Sequence, residues 1–294
     1  IAELAYQNKT EIYHLLFRAA AETLLTIAAD PKRLGAQIGA LMVLHTWGSA
    51  LTHHPHVHCV IPGGGLSLDG KRWVSCRPGF FLPVRVLSRL FRRLFLTKLK
   101  QLHLNQQLKF YGHLKVLNQH DTFDEMLQPL QKKEWVVYAK APFSGPCAVL
   151  EYLSRYTHRV AISNHRLLSL ENDRVIFRWK DYREEDAKRQ KTMSLEAGEF
   201  MRRFLQHVLP KGFHRIRQYG MLSNSKRKDV LLRVRQLMAE DLLPDKEKMV
   251  SVEKSISNDS PFFCPRCLKP MRIISEFEPN HYSRGPPSIG GIAA

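Results

Sequence analysis

The chain has 294 residues and is strongly basic, with 45 Lys and Arg against 27 Asp and Glu and a formal charge of +18. This excess predicts a polyanionic partner. Nucleic acid fits better than a membrane surface, because no amphipathic helix with a bare aromatic edge is visible. Five cysteines, three of them widely scattered, do not resemble a disulfide framework, so a reducing cytoplasm is expected. No run predicts a transmembrane span or a signal peptide.

In chain order, the first predicted element is an amphipathic helix from Glu3 to Ala29, which the Asp30-Pro31 pair ends. The apolar stretch from Gln37 to Trp47 then predicts a buried strand with His45 near its end. A turn-like segment, GSALTHHP, leads into the stretch HHPHVHCVIPGGG at residues 53–65. We expect the rest of the chain to be organised around this stretch.

The histidines of this stretch are candidate metal ligands. Residues two apart on a strand point to one face, so His56 and His58 would project side by side while Val57 turns into a core. Two neutral imidazoles on one face can bind a divalent metal, although a His-rich strand end without a ligand role is the simpler alternative. Strands joined by a short loop most often pair antiparallel. His45 would then lie beside the pair, either as a third ligand or as a hydrogen-bonded strand histidine.

Further elements follow from composition and spacing. Asp69-Gly70 between alternating residues predicts a tight hairpin. The helix predicted from Pro83 to about Gln107 is basic, and its cations form either a solvated face or a phosphate-facing surface. The stretch KGFHRIRQYG either stacks on bases or is simply a basic edge strand. The remaining predicted elements are a strand from Trp135 to Ala141, a hairpin from Ala161 to Tyr182, a strand KTMSL, a helix from Leu195 to Leu209 and a helix from Lys226 to Met238.

A second group of candidate residues lies on the segment AVLEYLSRYTHR, which predicts a helix beginning after a Gly-Pro pair. Tyr152 and Tyr156 lie four residues apart and therefore share one helix face, one turn from each other. Such a pair is ordinarily core packing. Here three cationic side chains surround it, which favours the phenolate form of a tyrosine and makes it a usable nucleophile. The three are also candidate DNA-binding residues: Arg155, His158 and Arg159.

The composition divides the chain into three parts. Residues 1–242 are expected to form one α+β domain, residues 243–263 a polar linker, and residues 264–294 a cysteine knuckle with a disordered tail. In the knuckle, Cys264 and Cys267 of the CPRC sequence make half of a structural Zn²⁺ site. No second CxxC pair is present to complete it.

A metal-binding strand and a tyrosine helix in a basic protein together predict cleavage of single-stranded DNA. Bound Mg²⁺ or Mn²⁺ would polarise the scissile phosphate. A tyrosine would attack in line, leaving a 5′-phosphotyrosine link and a free 3′ hydroxyl, and the second tyrosine would allow another strand to be joined without outside energy. The tyrosine nearer the metal is expected to act first, and the cations at its end of the helix favour Tyr156.

Three stretches of the chain carry a family resemblance: HTWGSALTHHPHVHCVIPGGGLSLDGKRWV, EYLSRYTHRVAISNHRLL and the CPRC tail. They resemble the rolling-circle insertion-sequence transposases of the IS-ninety-one type, which belong to the HUH endonuclease superfamily. The resemblance covers nearly the whole chain. It implies that His56 and His58 match the metal ligands and that Tyr152 and Tyr156 match the nucleophiles. It also implies a central antiparallel sheet carrying the HUH strand, flanked by helices that include the tyrosine helix.

The resemblance leaves alternatives for function. Members of the family begin with a cysteine-rich zinc segment and an apolar strand, neither of which precedes Ile1, so the chain is expected to be an N-terminally truncated or decayed copy. As a transposase it would act on single-stranded DNA at element ends and at a target. The alternatives are a replication initiator or relaxase that nicks one origin, and an inactive DNA-binding remnant.

Overall fold

The computed structural model describes residues 1–143, 145–157, 161–181, 184, 190–225 and 227–240; for residues 146, 155–157, 239 and 240 it describes the backbone only. The chain divides after Leu243, and all described residues belong to the first unit, Ile1–Leu243. The predicted linker and the predicted zinc half-site at Cys264 and Cys267 lie outside the described residues.

Helices and antiparallel sheets alternate along the described chain, which confirms the predicted α+β class. The helices are α1 (Ala2–Gln7), α2 (Lys9–Ala29), α3 (Val84–Leu104), α4 (His120–Lys132), α5 (Pro146–Thr157), α6 (Ala197–Leu205) and α7 (Arg227–Glu240). The strands are β1 (Ala36–Gln37), β2 (Gly39–Trp47), β3 (His53–Val60), β4 (Gly64–Ser67), β5 (Trp73–Ser75), β6 (Leu167–Glu171), β7 (Arg174–Lys180), β8 (Gln190–Glu196) and β9 (Ile216–Gly220). They form three three-stranded sheets, ordered β1-β4-β5, β3-β2-β9 and β6-β7-β8.

Strand β2 is the centre of the sheet that carries the histidines, with β3 at one edge and β9 at the other. Both pairings are antiparallel, as predicted for β2 and β3. Side chains alternate between the faces, and Met42, Leu44, Val57 and Cys59 all pack in one apolar core. His45, the residue after Leu44, therefore points to the opposite face of the sheet.

Helix α2 covers the apolar face of this sheet, with Tyr13 and Phe17 fully buried in the shared core. By length and composition alone α2 is apolar enough to cross a membrane, with a mean hydropathy of 1.2, a feature that the sequence-based expectation missed. In the structure 56% of that window is buried. Packing against the sheet and α3 therefore accounts for its apolar surface.

The helix predicted from Glu3 to Ala29 is divided at Asn8, which leaves helical geometry (φ −126°, ψ 49°). The Asn8 side-chain amide donates to the carbonyl oxygens of Leu4 (3.1 Å) and Lys109 (2.8 Å), and its Oδ1 accepts from the Lys109 N–H. The break depends on a partner 101 residues away in sequence. Helical periodicity carries no information about that partner.

A second apolar core lies between α1, α2, α3 and α4 and contains Leu15, Phe95, Leu99 and Phe123. The predicted basic helix is confirmed as α3, and its apolar side packs here. Some of its cations are paired within the protein, as in the contacts Lys98–Glu22 (2.8 Å) and Lys100–Asp124 (2.6 Å).

The strand predicted from Trp135 to Ala141 is wrong. These residues belong to no strand of the described structure. The pattern WVVYAKA resembles a buried strand, yet Val136 is 95% exposed and Tyr138 is 78% exposed. Only Trp135 and Val137 pack against cores, so half of the apolar residues that predicted a strand face solvent.

The other predicted elements are confirmed with shifted bounds. Asp69-Gly70 lies in the connection between β4 and β5, and Asn172 and Asp173, both with positive φ (49° and 58°), turn the chain between β6 and β7. The sequence KTMSL lies within β8, the helix predicted from Leu195 is the shorter α6, and the last predicted helix is α7.

The basic aromatic stretch KGFHRIRQYG forms an edge strand, β9. The ring of Phe213 packs on Tyr13 (5.8 Å between centroids) and His14 (5.0 Å), and the Arg217 guanidinium lies over Phe17 (4.6 Å) and Phe213 (4.8 Å). Because these aromatic and cationic groups contact one another, the structure favours a basic edge strand over a base-stacking surface.

Substitution of the glycine at the end of β9 tests the described geometry of this strand. Gly220 has a φ of +61°, and a Cβ there would lie 2.1 Å from the carbonyl oxygen of Ile38. Gly220→Ala should therefore lower the free energy of unfolding by at least about 2 kcal/mol, measured by urea denaturation. Gly198→Ala is the matched control, because a Cβ at that helical position meets nothing within 4 Å. It should stabilise by up to about 1 kcal/mol. Equal effects of the two substitutions would contradict the β9 geometry.

Candidate metal centre and tyrosine helix

Three histidines from two strands meet on the face of the sheet opposite α2. His45 of β2 lies directly across from His56 of β3 in the antiparallel register, and His58 follows two residues later on the same face. One ring nitrogen from each lies within 4.8 Å of the others, and the Nε2 atoms of His56 and His58 are 3.0 Å apart. The predicted proximity of His45 to the HVH pair is confirmed.

Hydrogen bonding orients the His56 ring. Its Nδ1 lies 2.8 Å from the carbonyl oxygen of His54. A carbonyl oxygen only accepts, so Nδ1 carries the proton and donates, and the lone pair of the neutral ring is on Nε2. That nitrogen is the one that faces His58. A backbone carbonyl behind one imidazole nitrogen is the arrangement that fixes the tautomer of a metal-ligating histidine.

Burial keeps these imidazoles neutral. Desolvation lowers the pKa of His56, and desolvation, His56 and Lys140 together lower the pKa of His58 to about 4. His45 is 5% exposed. At neutral pH the cluster therefore presents nitrogen lone pairs, the form in which histidine binds metal.

Sequence reasoning did not identify the aromatic ring beside the cluster. Trp47 stacks on His45 with ring centroids 4.6 Å apart and an interplanar angle of 18°. The strand register shifts between His45 and Trp47, as at a β-bulge. The two-residue period of a strand could have predicted that Trp47 shares a face with His45.

The predicted tyrosine helix is confirmed as α5, with Pro146 as its first residue. Proline suits this position because its missing N–H would have no helical partner there. Helix α5 contacts β2, and the Tyr152 hydroxyl lies 2.8 Å from Nδ1 of His58. Phe143, another residue that sequence reasoning missed, packs on the other side of the Tyr152 ring at 5.1 Å between centroids.

The remaining candidates are described only in part. Tyr156 and Arg155 lie on the described backbone of α5, but their side chains lie outside the described residues, as do His158 and Arg159 entirely. From the backbone alone, Tyr156 lies one helical turn beyond Tyr152, about 6 Å along the axis. The expectation that Tyr156 acts first stays a prediction. Tyr152 is the tyrosine whose contact with the histidine cluster is described.

The donor set fits a divalent cation. Three imidazole nitrogens converge, and a backbone carbonyl holds one of the rings through its other nitrogen. Nitrogen ligands suit transition-metal ions better than Mg²⁺, which prefers oxygen and near-octahedral geometry. Of the two ions predicted from the sequence, Mn²⁺ is therefore the better match for these three residues.

Comparison with known proteins places the chain among transposases. Residues 39–229 match the protein family Y2_Tnp, described as "Putative transposase". The "Putative transposase y4qJ" of Sinorhizobium fredii (strain NBRC 101917 / NGR234) is 54% identical over 281 residues, which cover 94% of this chain and 70% of that relative. The "Transposase for insertion sequence element IS801" of Pseudomonas savastanoi pv. phaseolicola is 28% identical over 258 residues, which cover 86% of this chain and 59% of that relative. No solved structure matches the chain.

The histidine cluster predicts a measurable metal site. Mn²⁺ should bind with one site per chain in isothermal titration calorimetry and more tightly than Mg²⁺, because the donors are nitrogens. His56→Ala or His58→Ala should weaken binding at least about tenfold. The matched control is His54→Gln, which removes an exposed imidazole from the same strand but keeps the backbone carbonyl behind His56. Unchanged affinity in the His56 and His58 variants would rule out the site.

The pKa shifts predict how stability depends on pH. Burial is the main cause that lowers the pKa of both His53 and His58 to about 4, whereas an unfolded histidine titrates near about 6.5. Below that pH the unfolded chain binds more protons than the folded one, so stability is full at pH 7 and declines from about pH 6.5 towards 4. The urea midpoint should therefore fall between pH 7 and pH 5. The fall should be smaller in His58→Asn and unchanged in the surface control His214→Asn, which alters an exposed histidine. Equal slopes in the parent and both variants would contradict this account.

Proposed function

The chain belongs to the Y2_Tnp transposase family, and on that premise we propose that it cuts single-stranded DNA and transfers the cut strand through a tyrosine. The observation that carries the proposal is the 2.8 Å contact between the Tyr152 hydroxyl and His58 Nδ1, within the histidine cluster. A nucleophile beside a group that orients it is the usual arrangement for covalent catalysis. The basic charge of the chain fits a phosphodiester substrate.

In this proposal the Tyr152 oxygen attacks the scissile phosphorus. The bond from phosphorus to the 3′ oxygen breaks as the bond to tyrosine forms, so the 5′ end becomes linked to the protein. The 3′ oxygen leaves as a hydroxyl after taking a proton, and the phenolic proton passes to water. The energy of the phosphodiester is kept in the phosphotyrosine, which a 3′ hydroxyl can later attack to rejoin DNA.

The histidines have two roles. Nε2 of His56 and the facing nitrogens of His58 and His45 would hold a divalent cation, which when bound supplies Lewis-acid polarisation of the phosphate. When Nε2 of His58 serves as a ligand, the proton of the neutral ring is on Nδ1. Nδ1 then donates to the Tyr152 oxygen, which favours the phenolate and holds it in place for attack.

Two tyrosines on one helix face support a division of labour. In contrast to the sequence-based prediction of Tyr156, this proposal takes Tyr152 as the first nucleophile. Proximity to the metal decides which tyrosine reaches the activated phosphate, and the Tyr152 hydroxyl contacts His58. Tyr156, one turn further on, would accept a second strand. The candidates for contact with the DNA backbone remain those of the sequence analysis: Arg155, His158 and Arg159.

The names of the two relatives favour transposition over replication initiation or conjugative nicking. From the same names we infer that the substrates are single strands at the ends of a mobile element and at its target. The protein would act on them in the bacterial cytoplasm, where such DNA lies. The chain spans 70% of one relative and 59% of the other. The activity of a whole transposase is therefore part of the proposal.

A covalent-adduct assay tests this function. The full chain is incubated with a set of single-stranded oligonucleotides and Mn²⁺, and protein–DNA adducts are resolved by denaturing electrophoresis. Tyr152→Phe should lower initial adduct formation to below about one-thousandth of the wild-type rate, because the nucleophile is lost. Tyr111→Phe, which alters an exposed tyrosine outside the site, should cleave normally. A Tyr152→Phe protein that cuts as well as wild type while Tyr156→Phe does not would show that Tyr156 acts first.

A further inference from the structure

Residues 133–143, here called the ribbon, lie between α4 and α5 and belong to no helix or strand of the described structure. Its side chains alternate in environment. Trp135 and Val137 pack against the two large apolar cores, whereas Val136 is 95% exposed and Tyr138 is 78% exposed. A tyrosine ring held open to solvent costs hydrophobic free energy that packing would have recovered. The exposure of Val136 and Tyr138 therefore makes this segment a candidate binding surface.

The ribbon is anchored to the helical core. The Trp135 indole N–H donates to the carbonyl oxygen of Leu130 (3.1 Å), and the Trp135 ring packs on Phe91 and Phe95 with centroids 5.6 and 5.3 Å away. Ser88 of α3 donates through Oγ to the Trp135 carbonyl oxygen. These contacts hold the backbone near Tyr138 in place. Binding at the exposed Tyr138 ring would therefore cost less conformational entropy.

The charge of the ribbon is suited to phosphate. It carries Lys133 and Lys140 against the single acid Glu134, and no ion pair of either lysine occurs among the described residues. At its start, a guanidinium N–H of Arg92 donates to the Lys133 carbonyl oxygen. Arg92 also lines a cleft on α3 with Arg89 and Arg93, for which no ion pair occurs within the described part of the chain.

The other end of the ribbon reaches the candidate metal centre. Phe143, three residues after Lys140, packs on the Tyr152 ring at 5.1 Å between centroids. The ribbon is therefore a continuous path from the basic cleft of α3 to Tyr152. Fully extended, its eleven residues would span at most about 36 Å, enough for several nucleotides.

We propose that the ribbon is a track for single-stranded DNA that leads the strand to Tyr152, with Tyr138 stacking on a base and Lys140 contacting a phosphate. This inference rests on the proposed function in taking DNA as the substrate. Aromatic rings interleaved with cations are the general means of holding a single strand without reading its sequence, because every base has a π face. Duplex DNA offers no such face, since its bases stack on one another.

A second copy of the chain is a less favourable partner for the ribbon than single-stranded DNA. A stable protein–protein interface buries about 800 Å² on each partner and has an apolar centre. The ribbon offers three exposed large apolar side chains, Val136, Tyr138 and Phe143, interspersed with cations. Two like-charged ribbons would also repel each other. Charge complementarity favours a polyanionic strand.

Binding without cleavage tests the track. The full chain carrying Tyr152→Phe is titrated in EDTA with a fluorescent oligo(dT) and with a duplex of equal length, and the dissociation constants are compared by anisotropy. Tyr138→Ala should weaken single-strand binding about tenfold and duplex binding less than twofold. Lys140→Gln should lower the salt slope of single-strand binding by about 0.7. The matched controls outside the ribbon are Tyr111→Ala and Lys115→Gln, which remove an exposed ring and an exposed charge and should bind as the parent does.

Photochemical crosslinking locates the contact directly. An oligonucleotide containing 5-iododeoxyuridine should crosslink to Tyr138, in the tryptic peptide from Glu134 to Lys140. The track is overturned if Tyr138→Ala binds as the parent does, if single-strand and duplex binding fall equally, or if the variant changes sedimentation instead of DNA affinity. Failure of the proposed function is a separate result: binding that depends on Tyr138 in a chain that never forms an adduct would reject the tyrosine chemistry and keep the track.

Discussion

The candidate site depends on the antiparallel register between β2 and β3. That register sets His45 against His56 and leaves His58 on the same face, so three imidazoles converge without any loop having to be ordered around them. A slip of one residue would turn His56 and His58 towards α2 and bring Val57 out to solvent. The apolar residues that alternate with the histidines therefore determine the site as much as the histidines do, because their burial under α2 fixes the register.

Much of this could be predicted from the sequence, because the relevant interactions are local. The two-residue period of a strand placed His56 beside His58, a short loop predicted antiparallel pairing with His45, and a Gly-Pro pair predicted the start of the tyrosine helix. The features that the sequence did not predict depend instead on contacts between distant segments. The break at Asn8 depends on a hydrogen bond to Lys109, and the exposure of Tyr138 depends on which residues α3 offers to Trp135. Contacts between distant segments leave no trace in local periodicity.

Burial allows the histidine cluster to act as a set of metal ligands, and it also lowers the stability of the protein in acid. Desolvation keeps the pKa of His58 near 4, so the imidazole is neutral and can act as a ligand at any pH at which the protein would meet DNA. Desolvation also opposes protonation of His53, which hydrogen-bonds to Tyr13, and of His207, which hydrogen-bonds to Thr46. Protonation of these histidines gains no charge–charge stabilisation in the folded state. The protein therefore loses folding free energy at a pH low enough to protonate them.

Contacts from different parts of the chain help to position Tyr152. His58 holds the hydroxyl end, and Phe143 packs against the ring. Phe143 ends a segment whose backbone is fixed at Trp135 by α3, so the helical core and the histidine sheet both act on the tyrosine. A strand lying along that segment would contact the same residues that position the nucleophile. Binding of substrate and alignment of the attacking oxygen are then parts of one structural arrangement, which is how binding energy away from the reacting atoms can contribute to rate.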